Sequence, residues 1–507
     1  MGDSGVKITH TKGNGTADEP PRLAKQAVVV IHGMGEQIPM DTIKSFVKAV
    51  WEKDERITQN GLPYPTQVWS KPDLRTGSLE LRRITTRESI LSPPEYPGGV
   101  RTDFYELYWA DLTGGTAWSA LSAWVGGLLF RPWSRVPRDV RLAWVFLWVA
   151  SIVVVTIGTL PLLPDDIWQL IAPQWAIKWK WAPTAIAGAF GVALHRMVLA
   201  SFGRVVRYTR AGPDNIAARE AVRERGLKLL EALHKGSDYK RIVIVSHSLG
   251  TILALDLLNY FWSRREAARS IREGTPEFNA LCELETAASH IDRTKHEPLL
   301  LKTYLEAQRT LRLLLAKRTA PVPATSSAPA SDDERWLISD FVTLGSPLTH
   351  AEFLLAKDDS DLRERIVARE LPKSPPFRED LDPKTLERAK RTGKLPISST
   401  TKPTGLFSFP HPRIIDAWQM HHAAPFAVVR WSNIYDPSRF VFCGDVVGGP
   451  LAKNFGPAII DVNLRDLRRR QSWSFTHTKY WAYDEKSPQV NLHVDALRTA
   501  VNLLDLP

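Results

Sequence analysis

The residues best suited to do chemistry in this chain sit at a strand–helix junction. The apolar run 241–245 (RIVIV) leads into Ser246-His247-Ser248-Leu249-Gly250, and helix-forming TILALDLL follows. A buried strand that turns sharply into a helix leaves the residue at its tip exposed at the end of the sheet. A serine there is a candidate nucleophile. Its neighbours two residues away on either side, Ser246 and Gly250, are small, as the close approach of strand and helix demands. The backbone N–H of Leu249, at the start of the helix, could point at an oxyanion developing beside Ser248. The structural alternative is a serine that merely caps a helix.

A second segment supports the chemical explanation. The apolar run 27–31 (AVVVI) ends in His32-Gly33-Met34-Gly35, a glycine turn from which the Met34 N–H could supply another oxyanion donor. A phosphate loop would need G-x-x-x-x-G-K-[ST], which the chain lacks.

A serine hydroxyl is a weak nucleophile without a base. The late histidines are His411, His421, His422, His477 and His493. His477 lies in SFTHTKYW, a polar stretch with aromatic flanks, whereas His493 falls in a terminal amphipathic segment and His421 and His422 precede the apolar run 427–431. An acid must reach the imidazole from a tight bend. Asp445 has Gly444 before it and Gly448-Gly449-Pro450 after it, which makes such a bend, while Asp436-Pro437 could equally cap a turn. The spacing favours Asp445, with Asp436 as the alternative and Asp461 more remote.

Together VVIHGMG, IVSHSLGT, TLGSPL and a late histidine followed by Tyr-Trp resemble the lipase-like α/β-hydrolases. The class 3 lipases and the deacylases acting on glycosylphosphatidylinositol are the groups most similar. The likeness covers the core strands and departs from G-x-S-x-G by Ser246 in place of the first glycine. The resemblance implies an α/β-hydrolase fold, a mostly parallel sheet flanked by helices. It implies the chain order serine, acid, histidine, with Ser248 as nucleophile, His477 as base, Asp445 or Asp436 as acid, and the Met34 and Leu249 amides as oxyanion hole. Such a site needs neither metal nor organic cofactor.

The elements that must position these residues can be read along the chain. Residues 1–24 are polar and predicted to be disordered. Residues 42–51 and 214–233 read as helices, 54–77 as loop, and 78–85 and 103–109 as half-buried strands. Helix is expected over 249–261 and through the charged stretch 266–318, strand over 338–344 and 427–431, and helix over 490–504. Residues 320–331 (APVPATSSAPAS) read as a linker. The hydrolase domain is therefore expected in two pieces, 25–111 and 211–507, with insertions at 266–336 and 359–412.

Between the two pieces lies a tryptophan-rich, apolar segment, 112–210. Its run 142–164 is uncharged and would reach about 34 Å as a helix, against a bilayer core of about 30 Å. A second run, 181–203, is interrupted by His195 and Arg196, and the run 112–130 reads as surface or packed against protein. Strands on both sides of the segment must join one sheet, so any crossings come in pairs. Arg131, Arg135, Arg138 and Arg141 precede the first run, and Arg204, Arg207 and Arg210 follow the second. The positive-inside bias then predicts a transmembrane helical hairpin with the hydrolase domain in the cytosol.

The net charge of +11 accompanies no nucleic-acid-binding motif, and the arginines cluster beside apolar sequence, which favours anionic lipid over nucleic acid. The first 25 residues carry no apolar core of a secretory signal. Cys282 and Cys443 form no ligand pattern and are expected to be reduced. The combined expectation is a membrane-anchored serine hydrolase cleaving carboxylic, lipid-type esters. The alternatives are a non-catalytic membrane scaffold that kept the fold, or a thioesterase or peptidase with the same triad.

Overall fold

The computed structural model describes residues 24–33, 38–54, 56–57, 66–78, 80–89, 99–113, 141–159, 213–235, 238–291, 297–318, 334–378, 406–438, 444–445, 447–467, 476–487 and 490–506, with a few isolated positions between 130 and 185. Its centre is an eight-stranded sheet in the order β11-β10-β7-β5-β1-β4-β3-β2. The strands are β1 (Ala24–Ile31), β2 (Val68–Pro72), β3 (Arg82–Glu88), β4 (Val100–Leu107), β5 (Arg241–His247), β7 (Ile338–Leu344), β10 (Arg430–Tyr435) and β11 (Ile460–Asn463). β11, β10, β7, β5, β1 and β4 run parallel, and β3 and β2 complete one edge antiparallel. A small antiparallel sheet joins β6 (Ser270–Arg272), β9 (Ala417–Met420) and β8 (Ser408–Pro410).

The central strands are short, Val/Ile-rich and buried along almost their whole length, as parallel strands covered on both faces are. Side chains alternate between two cores. Ala27, Val29 and Ile31 of β1 face one cluster, and Val28 and Val30 face the other. The first core is closed by helices α3 (Pro213–His234), α4 (Gly250–Arg264), α5 (Pro276–Ile291), α6 (Pro298–Lys317) and α7 (Asp359–Val367). The second is closed by α1 (Asp41–Val47), which runs on into a π-helical turn, and by α8 (Leu492–Val501). Parallel register brings the C-terminal ends of β1, β5 and β7 level: Ile31 pairs with Ser246, and His247 with Leu344. Open α/β sheets hold their sites along that edge.

Several expectations need correction. The stretch 54–77 contains β2, an edge strand whose Ser70, Lys71 and Pro72 are exposed, so it has no apolar pattern to betray it. β3 spans Arg82–Glu88 rather than 78–85. The late strand expected at 427–431 is β10, Arg430–Tyr435; Pro425–Ala427 form a 3₁₀ turn, and Val428 and Val429 are buried without being strand. The charged stretch 266–318 is helical but is interrupted by β6.

The apolar run at 142–164 forms helix α2, Arg141–Thr159. Its 19 described residues reach about 28 Å. Among the described residues no helix is long and apolar enough to cross a membrane, so the expected spanning hairpin is not seen there. The second run, 181–203, lies outside the described residues but for three positions, as do nearly all of 112–130 and the linker at 320–331.

Candidate active site

The junction of β5 and α4 fits very little besides its own residues. Ser248 takes a left-handed backbone conformation, φ 53°, which a non-glycine residue adopts only under compulsion. Its N–H donates to the Leu344 carbonyl (3.0 Å), and its carbonyl accepts from the Thr251 hydroxyl (2.7 Å). The Thr251 hydroxyl also meets Ser346 Oγ at 2.7 Å, which ties the turn to the end of β7.

The two small flanking residues are used differently. A Cβ on Gly250 would lie 2.4 Å from the His32 carbonyl oxygen and 2.8 Å from that of Ile31, so only glycine lets α4 start against β1. At Ser246 there is room for a hydroxymethyl group, whose Oγ donates to the Val342 carbonyl at 3.2 Å. That explains why serine can replace glycine at the first small position but not at the second.

Ser248, His477 and Asp445 form one hydrogen-bonded row. Ser248 Oγ is 2.8 Å from His477 Nε2, and His477 Nδ1 is 3.0 Å from each Asp445 oxygen. A carboxylate accepts only, so Nδ1 carries the proton and Nε2 is left to accept from the serine hydroxyl. All three are buried. Burial by itself would raise the Asp445 carboxyl. The hydrogen bond and charge of His477, with donors from the Tyr480 hydroxyl (2.6 Å) and the Val447 N–H (2.8 Å), instead hold it below its ordinary value. Tyr480 is itself raised well above its usual range by burial and by Asp445, so it stays a hydroxyl donor.

The other candidate acids are placed elsewhere. Asp436 presents its carbonyl to the Asp445 N–H (2.9 Å) and thereby braces the acid loop. Asp461 accepts from the Leu451 and Ala452 N–H groups and from Asn433 Nδ2, holding the start of a short helical turn. The other histidines have structural partners. His421 Nε2 meets the Phe377 carbonyl at 2.9 Å, His411 Nδ1 accepts from the Arg413 and Ile414 N–H groups, and His493 Nε2 meets the Ala482 carbonyl at 2.8 Å. Burial pushes His421 down to about 3 and lowers His422.

Of the proposed oxyanion donors, Leu249 is the residue immediately before α4, and its side chain is buried in the first core. Met34 lies outside the described residues. The turn that leads to it is firmly built. His32 stacks on Trp109 with ring centroids 5.3 Å apart, Trp109 Nε1–H donates to the His32 carbonyl (3.1 Å), and the Trp109 N–H meets His32 Nε2 (3.3 Å). Gly33 presses directly on the serine: a Cβ there would be 2.8 Å from Ser248 Cβ.

Three contributors were not singled out from sequence. Tyr480 was visible only as half of a Tyr-Trp pair. Gly345, φ +53°, lies where a Cβ would meet Tyr480, Asp445 and His477 at 2.6, 2.7 and 3.1 Å; its signal was the Thr-Leu-Gly-Ser-Pro-Leu run. The third is His247, immediately before the serine. Cys282 is free, and burial pushes its thiol up to about 12, which leaves it unreactive; Cys443 is outside the described residues. Comparison with protein-family models, with curated proteins and with solved structures returned no match.

Proposed function

We propose that this chain is a serine hydrolase of the α/β-hydrolase fold that cleaves carboxylic esters through an acyl-enzyme. The observation that carries the reading is the continuous row from Ser248 Oγ through His477 to Asp445, set at the strained tip between β5 and α4. A helix-capping serine needs neither a base at 2.8 Å nor an acid behind it. In the first step Ser248 Oγ attacks the acyl carbon and its proton passes to His477 Nε2. Asp445 keeps the imidazolium oriented and balanced in charge. The N–H of Leu249, joined in this reading by that of Met34, stabilises the oxyanion. His477 returns the proton to the leaving alkoxide, and water repeats the sequence to free the acid.

Lipid ester is the substrate class we propose, because the chain carries an apolar surface suited to a bilayer. On α2, Val145, Val149, Ile152, Val153, Val155 and Ile157 are exposed. At its N-terminal end Arg141 lies over the Trp133 ring at 4.9 Å, and Trp144 packs on both Trp133 and Trp148, as interfacial anchors do. The segment 112–210 would then seat the hydrolase domain on the cytosolic face of a membrane.

The test is hydrolysis of a short-chain 4-nitrophenyl ester by purified protein. Turnover that disappears in Ser248→Ala and falls by several orders of magnitude in His477→Ala supports the reading. Wild-type protein without turnover on oxygen-ester, thioester or peptide panels would favour a scaffold that keeps the fold without the chemistry.

A further inference from the structure

His247 precedes the nucleophile, and its ring meets the main chain of the loop that carries His477. Its Nε2 is 2.7 Å from the main-chain carbonyl of His477. A carbonyl only accepts, so Nε2 carries the proton and donates it. The two imidazoles lie 4.9 Å apart, and Trp481 closes the far side edge-on at 5.1 Å. Trp481 is in turn anchored through Nε1–H to Ser45 Oγ on α1 (3.0 Å). On its other side the ring faces the glycine turn after β1: a Cβ on Gly33 would come within 3.1 Å of His247 Nδ1. One side chain therefore touches the loop that carries the base and the turn that leads to Met34, and it grows from the strand that carries the nucleophile.

Resting on the serine-hydrolase reading above, we infer that His247 is a positioning residue, whose Nε2–H fixes the main chain of His477 so that the base meets Ser248 Oγ. Within the described part of that loop the Thr476 N–H donates to the Gly444 carbonyl, the Lys479 N–H to Thr476 and the Ala482 N–H to Lys479, and the His247 bond to the His477 carbonyl adds a side-chain tie from β5 at the base itself. A neutral donor also suits the chemistry. His477 must become an imidazolium during turnover, and a second cation 4.9 Å away would oppose that. Enclosure of its ring, followed by the nearness of His477, pushes His247 down to about 3, so it stays uncharged while the base cycles.

The test separates the hydrogen bond from the bulk of the side chain. In His247→Gln the amide nitrogen reaches roughly the position of Nε2 and can donate. In His247→Met the side chain has the same length and no N–H. For a short-chain 4-nitrophenyl ester, His247→Met should lose about 10–100-fold in kcat, as a misplaced catalytic group does, with KM unchanged. His247→Gln should recover most of that rate, and fluorophosphonate labelling should slow and recover in parallel. Equal rates in the Gln and Met variants, or a loss confined to KM, would overturn the inference. His247→Phe keeps a ring without the donor and serves if the Met variant does not fold. Should both donor-less variants fail to fold while Gln folds, the residue supports the fold rather than the base, and the inference also fails. Wild-type protein that neither turns over ester nor labels would sink the hydrolase reading itself; a wild type that labels beside a Met variant that labels equally fast would sink this inference alone.

Discussion

His477 Nδ1 is equidistant, at 3.0 Å, from the two carboxylate oxygens of Asp445. Nine residues earlier, Asp436 meets the same loop through its carbonyl, which accepts from the Asp445 N–H at 2.9 Å. The two acids that sequence left open thus stand in different places relative to His477. Asp445→Asn should cost on the order of 10⁴ in kcat, because the amide stabilises neither the tautomer nor the imidazolium. Asp436→Asn leaves the carbonyl in place and should cost little. Steady-state kinetics on one ester decides it, and a large loss at Asp436 alone would reverse the assignment.

Tyr480→Phe should weaken both the site and the fold. It removes a buried hydroxyl donor to a carboxylate, a bond worth about 1.5–3 kcal/mol. The pH dependence has a definite sign. Asp445 is lowered in the folded state, so its stabilisation is present above its ordinary value of 3.8 and is lost as pH falls through the folded value. Without Tyr480 that folded value moves up, and the acid loss of Tm should begin at higher pH than in wild type. Parallel Tm–pH curves for the two proteins between pH 3 and 7 would show that the Tyr480 bond contributes nothing.

The membrane surface can be tested separately from the chemistry. Val149 and Val153 are exposed on α2, one turn apart. Val149→Asp with Val153→Asp puts two charges where the account places acyl chains. Flotation with anionic liposomes should fall sharply, while turnover of a water-soluble ester stays at the wild-type rate. Unchanged flotation would remove α2 as the lipid contact.

Much of the site was legible because its signals are local. A buried strand, a small-residue turn and a helix are contiguous in sequence, so Ser248, Leu249 and the need for Gly250 could be read directly. His477 could be chosen among five histidines because a polar, aromatic-flanked loop differs visibly from an amphipathic helix. Tyr480, Gly345 and His247 escaped because their roles arise from contacts across the fold: Gly345 matters through what lies above it in space. The strand errors have a similar origin. Val428 and Val429 are apolar because they are buried, and burial does not require a strand; β2 is a strand without being apolar, because it is an edge.

The most direct test of the central claim is covalent. A fluorophosphonate is attacked only by a serine whose proton is taken by a correctly placed base. Wild-type protein should gain the mass of one phosphonyl group, and peptide mapping should locate it on Ser248. Ser248→Ala should gain none, and His477→Ala should label far more slowly. An unlabelled wild type, or an adduct on any serine other than Ser248, would contradict the account.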